Sequence, residues 1–213
     1  MNDCTFYLDA PLLKAALLFV VNEIDSRERL RCVHVYSNGP TVITESTNGH
    51  AALIGRNTYL IGRNTYENVA FRGPGAEGGL NVSINAIDVK AALDTGDGNL
   101  VPLVSIDGVW ALGGHQFTPS AEEYPDLARV VPQTCSGQTA QFDPNYLSMF
   151  ERAAKLLRKR NKGTSFIHVA HNGDHAAVIN LDTHSAFGLL MPRSNVPFMG
   201  VPSWYVRLPG GTK

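Results

Sequence analysis

Three Asn-Gly or Asp-Gly pairs punctuate the chain at nearly even intervals. Their surroundings restrict what it can fold into more than any other feature. Asn38-Gly39 separates LRCVHVYS from PTVITES, Asp107-Gly108 separates LVSI from VWAL, and Asn172-Gly173 separates SFIHVAH from DHAAVINL. The turns start 69 and 65 residues apart. Such pairs accept the positive φ of tight hairpin turns, and the flanking β-branched and apolar residues suit paired strands. Upstream of each turn lies a short extended piece, then a capping residue, then a helix-like run: FYLDAPLLKAALLFVVNEI, NVSINAIDVKAALDTG and AQFDPNYLSMFERAAKLLRKRNKG. Asp9, Asn85 and Asp143 can accept from the free amides of a first helical turn. Pro144 suits the first helical position, and Gly96 and Gly163 suit helix ends. The chain therefore reads as three diverged copies of strand, helix and antiparallel meander, over roughly 4–60, 78–125 and 140–194.

The exact repeat LIGRNTYLIGRNTY at 53–66 is a different matter. It stops after two copies, too few for a solenoid. An odd period also flips every side chain of a strand to the opposite face. It reads as a small tandem duplication in a hairpin or loop. The glycine-rich 72–79 and the Pro/Ser/Gly-containing 132–139 mark junctions. The third copy ends near 194, and 195–213 follow as an extended tail.

Composition narrows the function classes. The net charge of −1 argues against a whole-molecule polyanion binder, so any nucleic-acid contact must come from a local patch. Cys4, Cys32 and Cys135 are distant and odd in number, which suits reduced thiols in the cytoplasm and no zinc or disulfide framework. No apolar run reaches membrane-spanning length, and MNDCTFYLD lacks a signal peptide's basic start. No P-loop, dinucleotide fingerprint or nucleophile elbow is present, and His34, His115, His168, His171, His175 and His184 fall at no metal-ligand spacing. The chain reads as a non-enzyme without metal or cofactor.

Four segments carry a family resemblance. LLKAALLFVV leads into RERLRCVHV and then TNGH at 47–50, EEYPDLARVVP spans 122–132, FDPNYLSMFERAAKLL opens the last copy, and FGLLMPRS spans 187–194. In order and spacing these resemble the bacterial DNA sliding clamp, the β subunit of DNA polymerase III, in a short form suited to a phage or mobile element. The resemblance implies an α+β DNA-clamp fold of βαβββ units, with helices on one face of antiparallel sheets. Bacterial clamps carry six such units per chain, two to a domain, and close a ring of twelve, so the resemblance implies one complete domain over 1–132, a half domain over 133–194, and a homo-oligomer, a tetramer if the ring is closed.

Two surfaces follow. Arg152, Lys155, Lys159 and Lys162 recur at spacings of three, four and three on one helical face. With Arg158 and Arg160 they make segment 141–163 +4 against −5 for the rest. Such a stripe suits a solvated face whose cations offset the helix macrodipole, or a phosphate-facing surface. The other helices offer Lys14 and Lys90, and the resemblance implies that these cations face duplex DNA. It also implies a cleft for polymerase or clamp-loader peptides at Leu30, Thr47, Gly49, His50, Ala52, Asn85, Val89, Leu189, Met191 and Pro192. Ala52 stands where the family has a larger aliphatic and Asn85 where it often has proline, so a shallower cleft is expected. The tail, with Pro197, Pro202, Pro209, Phe198, Trp204 and Tyr205, suits either a strap on its own domain or insertion into a neighbour's groove. The function implied is a processivity factor that encircles or tethers to DNA. The alternative keeps the fold as an oligomeric scaffold or clamp mimic without encirclement.

Overall fold

A computed structural model describes residues 4–38, 41–57, 80–95, 98–158 and 166–193. The second LIGRNTY copy, the 72–79 loop, Gly39, Gly96, Lys159, Arg160, Lys162, Gly163 and the tail from 194 lie outside them. The first copy runs β1 (Cys4–Asp9), α1 (Ala10–Ala16), β2 (Cys32–Asn38), β3 (Thr41–Thr47) and β4 (Ala51–Arg56). The second runs β5 (Asn81–Asn85), α2 (Ala86–Thr95), β6 (Leu100–Ile106), β7 (Val109–Leu112) and β8 (His115–Phe117). The third runs α3 (Pro144–Leu157), β9 (His168–Ala170), β10 (Ala177–Asn180) and β11 (Ala186–Leu190).

The three helices start where the capping residues place them. Asn85 accepts from the Ile87 amide at 3.0 Å and Asp143 from the Asn145 amide at 2.9 Å, each satisfying a first-turn donor. Asp9 holds the same position without a side-chain cap bond; its amide instead donates to Oδ1 of Asn57 at 2.9 Å. The first helix is shorter than the run LLKAALLFVV suggested. The chain tightens after Ala16, with the Leu18 and Phe19 amides reaching back only three residues, and this turns Phe19 into the core.

The sheets are antiparallel throughout, and the first two copies exchange their opening strands. β1 pairs with β6, and β5 pairs with β2. One sheet therefore has the order β1-β6-β7-β8 and the other β5-β2-β3-β4-β11-β10-β9. The third copy joins the second of these through β11 on β4, with Leu189 opposite Ala52 and Leu190 opposite Ala51. The pleat sorts side chains by period two. Val33, Val35, Val42, Ala51, Leu53, Ile179 and Leu190 face the helices, forming the main core with Leu12, Leu13, Phe19, Val89 and Phe150. Ala52, Ile54 and Leu189 face the other way.

α3 packs alongside α1, with the Phe19 and Phe150 rings 4.8 Å apart. Close approach is built into the strands beneath them. A Cβ on Gly188 would overlap the Phe150 ring, and one on Gly55 would overlap Leu12.

Two features depart from the sequence reading. Residues 139–142, just before α3, form no strand, so the third copy lacks its opening strand. The Asn172-Gly173 pair forms a six-residue connection, 171–176, in place of a two-residue turn. Asn172 is drawn inward there: its Oδ1 accepts from Ser136 at 3.0 Å and its amide nitrogen donates to the Ala176 carbonyl. Asp107-Gly108 behaves as expected, with φ of 50° and 83° in the left-handed region.

Candidate functional site

The β3–β4 turn shows how the sequence builds one wall of the site. Thr47 donates its hydroxyl to the Ala51 carbonyl and accepts from the Gly49 amide, both at 3.0 Å. Asn48 Oδ1 accepts from the His50 and Ala51 amides at 2.9 Å. Gly49 takes φ of 91°, a conformation that a side chain would strain. The turn thus holds His50 outward, where its ring stacks on Tyr146 of α3 at 5.6 Å. The His50 carbonyl accepts from the Met191 amide at 2.8 Å, tying the first copy to the end of the third.

Around this tie the expected cleft residues divide. Thr47, Gly49, His50, Ala52, Leu189 and Met191 meet where β4 and β11 pair, with Pro192 following directly. Leu30 is buried in the short helical turn Glu28–Arg31, next to Gly49. Met191 is 40% exposed, while Ala52 and Leu189 are covered. Asn85 sits apart, opposite Cys32 at the edge of the sheet, where it caps α2. Val89 is fully buried in the main core on the helix side of the sheet, away from this junction.

What covers the junction was not among the expected site residues. The linker 118–131 crosses the outer face of the sheet, and its Tyr124 and Leu127 pack with Ala52, Ile54 and Leu189 in a second core. Ile43, Val131, Val178 and Phe187 border it. The i, i+4 spacing of Leu127 and Val131 in PDLARVVP was the available signal.

Beside the linker lies a polar cavity of about 320 Å³, lined by His34, Ser83, Ser120, Glu122, Glu123 and Tyr124 among others. His34 stacks on Tyr124 at 4.6 Å and its Nδ1 lies 3.1 Å from Ser83 Oγ. Burial depresses its pKa to about 4, so the ring is neutral and a weak base at neutral pH. Tyr36 donates to Glu45 at 3.0 Å; burial raises the pKa of both, that of Tyr36 to about 12. Cys32 is a buried thiol pushed up by desolvation and therefore unreactive. Among the described residues no three His, Cys, Asp or Glu side chains converge in a way that could hold a metal ion.

The opposite, helical face carries the expected cations. Lys14, Lys90, Arg152 and Lys155 are exposed on α1, α2 and α3. Lys155 pairs with Glu151 at 2.6 Å. Arg158 folds onto Asp182 of the β10–β11 turn, away from the stripe. Lys159 and Lys162 lie outside the described residues. Among the described residues no helix is long and apolar enough to cross a membrane.

No family model and no curated protein sequence matches the chain. Solved structures do. The DNA polymerase III beta subunit of Thermotoga maritima superposes with a TM-score of 0.59 at 12% identity, over 91% of this chain and 66% of that one. The DNA polymerase sliding clamp of Bacillus subtilis gives 0.58 at 15% identity, over 90% and 64%. The beta subunit of Borrelia burgdorferi gives 0.58 at 12% identity, over 90% and 64%. The chain has the bacterial sliding-clamp fold, and it spans just under two thirds of the length of each of these clamps.

Proposed function

We propose that the protein is a non-catalytic, sliding-clamp-like processivity factor that tethers a replication or repair enzyme to duplex DNA. The observation that carries this reading is the clamp fold over nine-tenths of the chain. The helical face turns Lys14, Lys90, Arg152 and Lys155 to solvent. Such cations bind phosphates without reading sequence, as sliding requires. The outer face carries the apolar β4–β11 junction with Met191 exposed at its end. Methionine adapts to varied partners, which suits short peptides from a polymerase or clamp loader. Four chains would supply the twelve units of a closed ring, in the cytoplasm and without cofactor.

Duplex binding measured against salt tests this. Arg152→Glu with Lys155→Glu should weaken binding and flatten the plot of log K against log salt by about 0.9 for each phosphate no longer neutralised. Unchanged affinity and slope would sink the DNA-facing assignment. A second reading, a scaffold or clamp mimic, draws support from the linker lying over the junction and from the pairing of Lys155 and Arg158 with acids. It predicts capture of polymerase peptides by a protein with no duplex affinity.

A further inference from the structure

The outer junction stays apolar at the point where the chain leaves it. Ile43, Val178 and Phe187 border the second core only half-buried. Among the described residues, Met191 directly after β11 is 40% exposed and Val130 on the linker 45%. Val131, the neighbour of Val130, packs against this core. The linker is also acidic: segment 118–131 holds Glu122, Glu123 and Asp126 against Arg129 alone, a net −2. Asp126 pairs with Arg129 at 3.0 Å, while Glu123 is exposed. Arg193, the last described residue, is two residues past Met191 and is pinned by its amide to the Gln141 carbonyl at 2.8 Å.

Residues 194–213 complement this surface. They hold Phe198, Met199, Trp204 and Tyr205, and they carry Arg207 and Lys213 with no acid, a net +2. Pro197, Pro202 and Pro209 fix φ and favour extended backbone, which suits a strap crossing a groove. Reach is ample. Phe187 lies four residues before Met191, about 13 Å at the rise of a strand, and Phe198 lies five beyond Arg193, about 17 Å of extended chain. The other long segment outside the described residues, 58–79, leaves after Asn57 and returns at Leu80, beside Val42 and Ser37 at the far end of the sheet. We infer that the apolar part of the tail, 196–206, docks on this junction of its own chain and competes there with partner peptides. Tethering supplies it at an effective concentration on the order of 1 mM, so a weak contact suffices. The docking stands on the junction and the tail alone; the competition rests on the reading of the junction as a peptide site.

The test reads Trp204 in the full chain. The sequence has two tryptophans, and Trp110 lies in β7 of the other sheet, so Trp110→Phe leaves Trp204 as the single reporter. Its emission should be blue-shifted and shielded from acrylamide relative to the free peptide 194–213, equally at every protein concentration. Val130→Asp on the surface and Phe198→Asp on the tail should each return quenching to the free-peptide value. If Val130→Asp fails to fold, the tail substitution decides alone. Free-peptide quenching in the unsubstituted background overturns the inference, as does shielding that both substitutions leave intact. Shielding that grows with protein concentration places the tail on a second copy and overturns it too. Deleting 195–213 should strengthen binding of a fluorescent polymerase-derived peptide about tenfold, the loss of a tethered competitor. Unchanged affinity overturns the competition. Binding by neither protein would sink the peptide-site reading, while Trp204 still decides the docking.

Discussion

Gly188→Ala should be the most informative single change in the packing of the third copy. Gly188 lies in β11, held on one side by Ile179 and on the other by Leu53. Its new methyl would overlap Phe150 Cε1 and come within 2.7 Å of Cδ1. The strand cannot retreat, because both ladders fix it. The ring cannot swing either, since Phe150 is fully buried and tilted against Phe19 at 46°. Overpacking a core costs about 1–3 kcal/mol, and two rigid sides put this case near the upper figure, about 3 kcal/mol. Phe150→Leu alone should cost about 1 kcal/mol, a typical core substitution. Together the two should be less destabilising than their sum by more than about 1 kcal/mol, because the smaller side chain makes room for the methyl. Urea unfolding of the four proteins measures this directly. Strict additivity, or a Gly188→Ala cost below about 0.5 kcal/mol, would refute the claim that α3 is seated on the sheet through this packing.

Asn57→Ala should cost about 2–3 kcal/mol in the same assay, at about 1 kcal/mol for each hydrogen bond removed. The buried amide bonds the Val42 carbonyl at 3.1 Å, Thr44 Oγ1 at 3.0 Å and the Asp9 amide at 2.9 Å. Met191→Asp should weaken binding of a fluorescent polymerase-derived peptide at least tenfold, about 1.4 kcal/mol, and leave the unfolding midpoint in place because the side chain is already partly in water. His34 has a folded pKa depressed to about 4, below its unfolded value, so the stability it contributes is present above about pH 6.5 and lost as pH falls through 4. His34→Phe keeps a ring between Tyr36 and Tyr124 and should flatten the stability–pH curve over that window.

Much of this architecture was legible because it is local. Asn85 and Asp143 mark two helix starts through cap bonds two residues long, Asp9 marks the third by its extended backbone alone, and Asp107-Gly108 marks its turn through its dihedrals. The exchange of β1 and β5 was not legible, because it pairs residues far apart, such as Asp9 with Leu100, and no short-range pattern encodes it. The weld of β11 onto β4 is non-local for the same reason. Asn172 misled because its side chain answers to Ser136, on a linker that hairpin patterns do not consider. At the candidate site, TNGH and FGLLMPRS located the junction, and Val89 fell elsewhere because its helix face packs inward. Of the cation stripe, Arg152 and Lys155 are exposed on α3 and Lys159 and Lys162 lie outside the described residues, while neighbouring Arg158 is drawn to Asp182 by a pairing made across the fold that spacing does not encode.

The central claim is that duplex DNA meets the helical face and not the outer face. Photo-crosslinking from benzoylphenylalanine at Glu151, beside Arg152 and Lys155 on the exposed side of α3, or at exposed Asn180 on the outer part of the sheet, tests it without requiring a loader or a closed ring. A duplex adduct is expected at low salt from position 151 and none from position 180. An adduct from 180 alone, or from neither, would contradict the claim.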